Sequence, residues 1–122
     1  MELLKLGERP AEYKWQDVTF YFRTKVTVGD KYEIDTAGTV VNGDKISFTP
    51  WNFYSTLIRL FVNAWDGVTE DGKTVPYSYE TLMQRLPAQQ SEDVVMKLGV
   101  FIAKTNGLVP SKDDQAGQLK ND

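Results

Sequence analysis

From Asp17 to Val28, apolar and polar residues alternate almost without interruption. Val18, Phe20, Phe22, Val26 and Val28 fall on one side, and Asp17, Thr19, Tyr21, Arg23, Lys25 and Thr27 on the other. A period of two is the pattern of a strand with one buried face. Gly29-Asp30 reads as a turn, and Lys31 to Thr36 resumes the alternation through Tyr32 and Ile34. Asn42-Gly43 lies between Thr39-Val40-Val41 and Lys45-Ile46-Ser47-Phe48. It suits a type I′ hairpin, whose two central residues need positive φ. Residues 17–48 are therefore expected to form an antiparallel sheet of hairpins. Leu3, Leu4 and Leu6 offer a further edge strand within Met1 to Lys14.

The period changes at Thr49-Pro50, which reads as an N-cap followed by proline at the first helical position. Trp51, Tyr54, Leu57, Ile58, Phe61 and Trp65 recur at helical spacing. Phe53, Leu60 and Ala64 widen that apolar face. Asn52, Ser55, Thr56, Arg59, Asn63 and Asp66 form a narrow polar stripe opposite. This helix is expected to be the most buried element, with Gly67 ending it.

Val68 to Pro76 carries an Asp71-Gly72 turn between short β-prone pieces and reads as a small β-arm. Ser78 caps a short helix with Leu82, Met83 and Leu86, stopped by Pro87. Ser91 opens a third helix, with Glu92 and Asp93 at its positive end. Val94, Val95, Leu98, Phe101 and Ile102 form its buried face, and Asn106-Gly107 closes it. The expected class is α+β: an N-terminal antiparallel sheet, then three helices, with the β-arm between the first two. Residues 1–110 form one domain in this reading, and 111–122 a polar C-terminal tail.

Composition narrows the chemistry. The chain of 122 residues is 41% hydrophobic and 25% charged, an ordinary globular mixture for one core. A net charge of -3 does not suit a protein that coats nucleic acid, which needs a dense Lys/Arg surface. No run approaches the roughly 20 apolar residues of a membrane span, and Met1 to Pro10 does not read as a secretory signal. The reading is cytoplasmic. The chain holds no Cys and no His. That removes disulfides, thiolate and imidazole metal sites, and every Ser-His or Cys-His pair.

The remaining polar clusters have structural explanations. Asp66 to Gly72 is acidic and Gly-rich, but Val68 stands where a calcium loop needs an oxygen ligand. Asp113-Asp114 lies in the tail and Glu92-Asp93 at a helix start, neither a setting that separates two carboxyl pKa values for acid–base work. Glycines sit at turns rather than in phosphate-cradling spacing. Phe20 and Phe22 belong to the core face, leaving only Tyr21 outward beside Arg23 and Lys25, so a base-stacking sheet is disfavoured. No catalytic residue, cofactor or metal is expected. Protein-binding surface remains, centred on the arm and its surroundings: Trp65, Val68, Val75, Tyr77 and Tyr79, where unpaired strand edges invite a partner.

Asn63 to Pro87 also carries a resemblance. Trp65 closing a helix, the Glu70-Asp71-Gly72-Lys73 turn, Val75-Pro76, a Tyr/Thr-capped short helix, Leu86-Pro87 and a final helix resemble a pattern in small proteins of tailed bacteriophages and prophages, often tail assembly chaperones or neighbouring tail proteins. The resemblance covers residues 50–107 and leaves out the N-terminal sheet. It implies a non-enzymatic assembly role in the host cytoplasm: binding the helical tape-measure protein, keeping it soluble and recruiting tail-tube subunits. The alternative it leaves open is a structural virion protein of the tail or head–tail junction that forms ring-like homo-oligomers. Neither implies nucleic-acid or membrane binding. A translational frameshift extends many such chaperones, and a chain ending at Asp122 would correspond either to the short product or to a member without that mechanism.

Overall fold

A computed structural model describes residues 1–5 and 10–108. The expected tail, 111–122, and Leu6 lie outside them. Strands β1 (Ala11–Trp15) and β2 (Val18–Phe22) form a hairpin, followed by helix α1 (Val28–Gly38). A ribbon of β3 (Thr39–Asn42) and β4 (Lys45–Phe48) leads into α2 (Pro50–Phe61) and directly into β5 (Val62–Asp66). The arm is β6 (Thr69–Glu70) with β7 (Lys73–Thr74), and α3 (Tyr79–Arg85) and α4 (Ala88–Thr105) complete the chain. The class is α+β, as expected.

The main sheet is antiparallel in the order β1-β2-β5. Tyr13 faces Phe20 across one ladder, and Phe20 faces Trp65 across the other. Period two thus puts Phe20, Phe22 and Trp65 on one buried face, with at most 6% exposure each. That face packs against α2 and α4, whose Phe53, Leu57, Ile58, Phe61, Val94, Val95, Leu98 and Ile102 belong to the same core cluster. The two helices approach closely. A Cβ at Gly99 would lie 2.4 Å from the Tyr54 Cβ, so only glycine fits that point of contact.

Several expectations need correction. The alternation after Phe22 does not continue as strand. Arg23 to Thr27 bends away, and α1 replaces the expected strand from Lys31 to Thr36. Thr27 caps this helix: its hydroxyl accepts from the Asp30 amide, and the Asp30 carboxylate accepts from the Thr27 amide. This reciprocal pair at Thr27-x-x-Asp30 was the overlooked helix-start signal. Of the apolar residues in α1 only Ile34 is buried; Val28 and Tyr32 are 89% and 72% exposed. Arg23 is likewise not a solvated outer residue. Its guanidinium grips Asp30 at 2.6 and 2.7 Å and lies 4.4 Å from the centre of the Phe61 ring.

The long helix stops four residues before Trp65. Val62 turns to extended backbone, and the chain fills the second edge of β2 as a strand. Ser55 and Thr56 of the expected polar stripe are buried, while Trp51 is 38% exposed. Gly67 ends β5 rather than a helix. Its φ of +97° and the Asp17 carbonyl, 2.2 Å from an added Cβ, both require glycine. Leu3 and Leu4 are exposed and build no strand; the first strand begins at Ala11. The third expected helix starts at Ala88, three residues before Ser91.

The turn at Asn42-Gly43 also differs in detail. Asn42 pairs with Lys45, so the loop is Gly43-Asp44, with positive φ at Gly43 only. That is the sign pattern of a type II′ turn. In the arm, Asp71 and Gly72 both have positive φ, the type I′ pattern.

Candidate protein-binding surface

The five residues expected to bind a partner lie close together, but they serve the domain's own packing. Trp65 on β5 is 6% exposed. Its indole N–H donates to the Val75 carbonyl at 2.6 Å, and its ring meets Tyr77 edge-on at 5.1 Å. Val68, Val75, Tyr77 and Tyr79 are partly buried against the core. Val68 accepts a hydrogen bond from the Val75 amide across the base of the arm. Arg85 on α3 reaches back to Glu70 at 2.7 Å, and this pair holds the Glu70 carboxyl below its usual range. The arm therefore folds back on its own body, leaving the Thr69-to-Thr74 tip exposed.

One polar atom inside this cluster has no partner among the described residues. The Tyr77 hydroxyl is buried without a hydrogen bond, and burial pushes its ionisation well above the ordinary tyrosine range. A neutral phenol at this position has no proton to exchange near neutral pH. A small depression under the arm, about 140 Å³, is lined by Trp65, Val68, Val75, Arg85 and Leu86 among others.

A second surface was not anticipated. Between β1 and α4 runs an open groove of about 380 Å³, lined by Tyr13, Met96, Lys97, Val100, Phe101 and Lys104. Met96, Val100 and Lys104 stand one helical turn apart, as i, i+4 neighbours on one side of α4. Phe101 was expected on the buried face, yet it is 38% exposed. One side of its ring contacts Tyr13 at 4.9 Å and Phe22 at 5.9 Å, while part of it faces the groove. The position of β1 fixes the groove wall. Trp15 anchors that strand by donating from its indole N–H to Asp93 at 3.0 Å, which holds the Asp93 carboxyl below its usual range. Lys97 lies 3.3 Å from the same carboxylate. The groove is thus apolar along its floor, with Lys104 and the Asp93-paired Lys97 at its rim.

Sequence periodicity could place Phe101 on the inner side of a helix, but not show where the sheet beneath it ends. Tyr13 was the missing half of the signal, because β1 was expected too early in the chain. Among the described residues, no group of three or more acidic, His or Cys side chains is placed to hold a metal ion, and no helix is long and apolar enough to cross a membrane. No family model, no curated protein and no solved structure matches this chain.

Proposed function

We propose that this chain is a non-enzymatic tail morphogenesis protein, a tail assembly chaperone that works in the host cytoplasm on the tape-measure protein and tail-tube subunits. The observation that carries the reading is the apolar groove between β1 and α4, with Lys97 and Lys104 at its rim. From Met96 to Lys104 it follows α4 for about 12 Å, at 1.5 Å per residue. That length accepts roughly two turns of a partner helix laid apolar face down. Lys104 favours a segment that carries Asp or Glu beside its apolar stripe, while Lys97 is already paired with Asp93. A long helical tape-measure protein presents many such segments. The resemblance over Asn63 to Pro87 points to the same class of partner.

The test is coexpression with overlapping tape-measure fragments, followed by co-purification. The wild-type chain is expected to keep at least one amphipathic fragment soluble. Phe101→Glu should weaken that capture by about 10- to 100-fold, the effect of losing an aromatic anchor. Tyr32→Glu, on α1 away from the groove, should leave it unchanged. Capture of no fragment, or equal capture by the Phe101 variant, would refute the reading.

A further inference from the structure

An open β-sheet has two edges, and most such edges carry some device against pairing with another chain. This protein applies the device unevenly. The edge strand β1 carries Glu12 and Lys14 and follows Pro10. The other edge of the main sheet, β5, ends on Asp66. The arm strands are two residues long and carry Glu70 and Lys73. In the ribbon, β4 begins with Lys45. Only β3, Thr39-Val40-Val41-Asn42, has an unpaired edge with no charge and no proline among the described strands.

The ribbon is also short of partners. It contains two strands only, and an isolated two-stranded hairpin is marginal in water. Its root is held by Phe48, whose ring meets Phe53 at 5.3 Å. Beyond the root, Val41 and Ile46 form a cross-strand pair on the same face and are 67% and 68% exposed. Asn42 and Lys45 flank the two-residue loop, so the ladder's alternation turns the N–H and C=O of Val41 away from β4. The Thr39 amide is already used by the Thr36 carbonyl. Val41 is therefore the centre of the free edge.

We infer that β3 is a self-pairing edge, through which two copies of this chain associate as an antiparallel, two-fold dimer. Charge and symmetry favour a second copy as the occupant. A two-fold axis brings each residue near its own copy, so a charged edge would set like charges together, whereas an uncharged one sets none. Antiparallel pairing of β3 with itself puts the axis perpendicular to the ribbon, which keeps equivalent faces on the same side. The exposed Val41–Ile46 pairs of both copies then join into one apolar stripe across four strands, giving each ribbon the width it lacks alone. Contact of this size lies at the small end of protein interfaces, so a dissociation constant on the order of 10–100 µM is expected. Isologous pairing closes at two copies and does not generate rings. The inference is independent of the groove and of any tape-measure partner.

Sedimentation of the full chain from about 1 µM to about 1 mM tests it, since that span brackets the expected constant. A reversible monomer–dimer equilibrium is expected, and Val41→Lys should shift it at least tenfold toward monomer. Tyr32→Lys, equally exposed on α1, should leave it in place. Because the chain has no cysteine, Val41→Cys gives a second reading. Mild oxidation should cross-link that variant as a dimer, and should not cross-link Tyr32→Cys. A monomer at every concentration, assemblies larger than two, or a dimer indifferent to Val41→Lys with no Val41→Cys cross-link would overturn the proposal.

Discussion

The ribbon β3–β4 and the arm β6–β7 are both two-stranded hairpins closed by glycine-containing turns, yet they are attached in different ways. The arm is fastened along its length. The Trp65 indole holds its return strand at Val75 and the Val75 amide donates to the Val68 carbonyl, while an exposed Arg85–Glu70 ion pair adds only a weak contact nearer the tip. Among the described residues the ribbon is fastened at its root, by Phe48 against Phe53, by the Thr49 amide on the Gly38 carbonyl and by Thr39 on the Asp35 and Thr36 carbonyls. It depends on α1, which is locked to the body by the Arg23–Asp30 pair and by the Arg23 amide on the Phe61 carbonyl. The lesson is that exposure follows fastening. The arm's apolar residues are turned inward, and beyond Phe48 the ribbon's Val40, Val41 and Ile46 are left outside.

The largest test of this contrast is Asp30→Ala. It removes the Thr27 cap partner and leaves Arg23 partly buried without its counter-ion. Arg23 keeps some solvent access and the Phe61 ring, so a loss of about 3 kcal/mol is expected, the lower part of the range for breaking a buried pair. Urea unfolding measures it. Amide exchange should accelerate in α1 and the ribbon more than at Val75 in the arm; equal acceleration would mean the two hairpins share one anchor.

The same carboxyl gives a pH signature. Burial alone would push the Asp30 pKa up, but hydrogen bonds from Arg23 and Thr27 and the Arg23 charge outweigh that and hold it below the usual range. A lowered folded-state pKa gives stability that is present above the unfolded value, about 3.9, and lost as pH falls through the folded one. Wild-type stability should therefore fall below about pH 4, and Asp30→Asn should show a shallower fall. Identical acid profiles for the two would contradict the assignment.

A smaller effect is expected from Trp65→Phe. The smaller ring leaves part of the indole's space unfilled and the Val75 carbonyl loses its donor, together a loss of about 2 kcal/mol. Faster exchange at Val75, with the ribbon unchanged, would mark the arm as separately fastened. Arg85→Ala is the mildest change. Its ion pair with Glu70 is exposed on both sides, so no measurable shift in unfolding midpoint is expected. A clear loss of stability would show that the tip contact matters more than its exposure suggests.

Much of this molecule was legible in its residues. The buried face of β2, the Pro50 start of α2, the Asp71-Gly72 turn, the Ser78 cap and the Asn106-Gly107 stop all appear where local chemistry places them. These depend on neighbours a few positions apart, through alternation, proline geometry and cap hydrogen bonds. The residues expected to bind a partner were also gathered at one place, but the side each presents was not readable.

The tertiary structure decided what depended on distant partners. Val62 to Asp66 has helical spacing with the residues before it, yet becomes strand because β2 has a free edge there and Trp65 can pair opposite Phe20. Lys31 to Thr36 alternates like a strand, yet is helix because Thr27, Asp30 and Arg23 fix its start. Phe101 is apolar and on the inner side of α4, yet faces an open groove because β1 is the last strand on that side. Local chemistry determined where elements begin and turn. Pairing and packing across the chain determined which became strands, and which apolar residues were left for a partner.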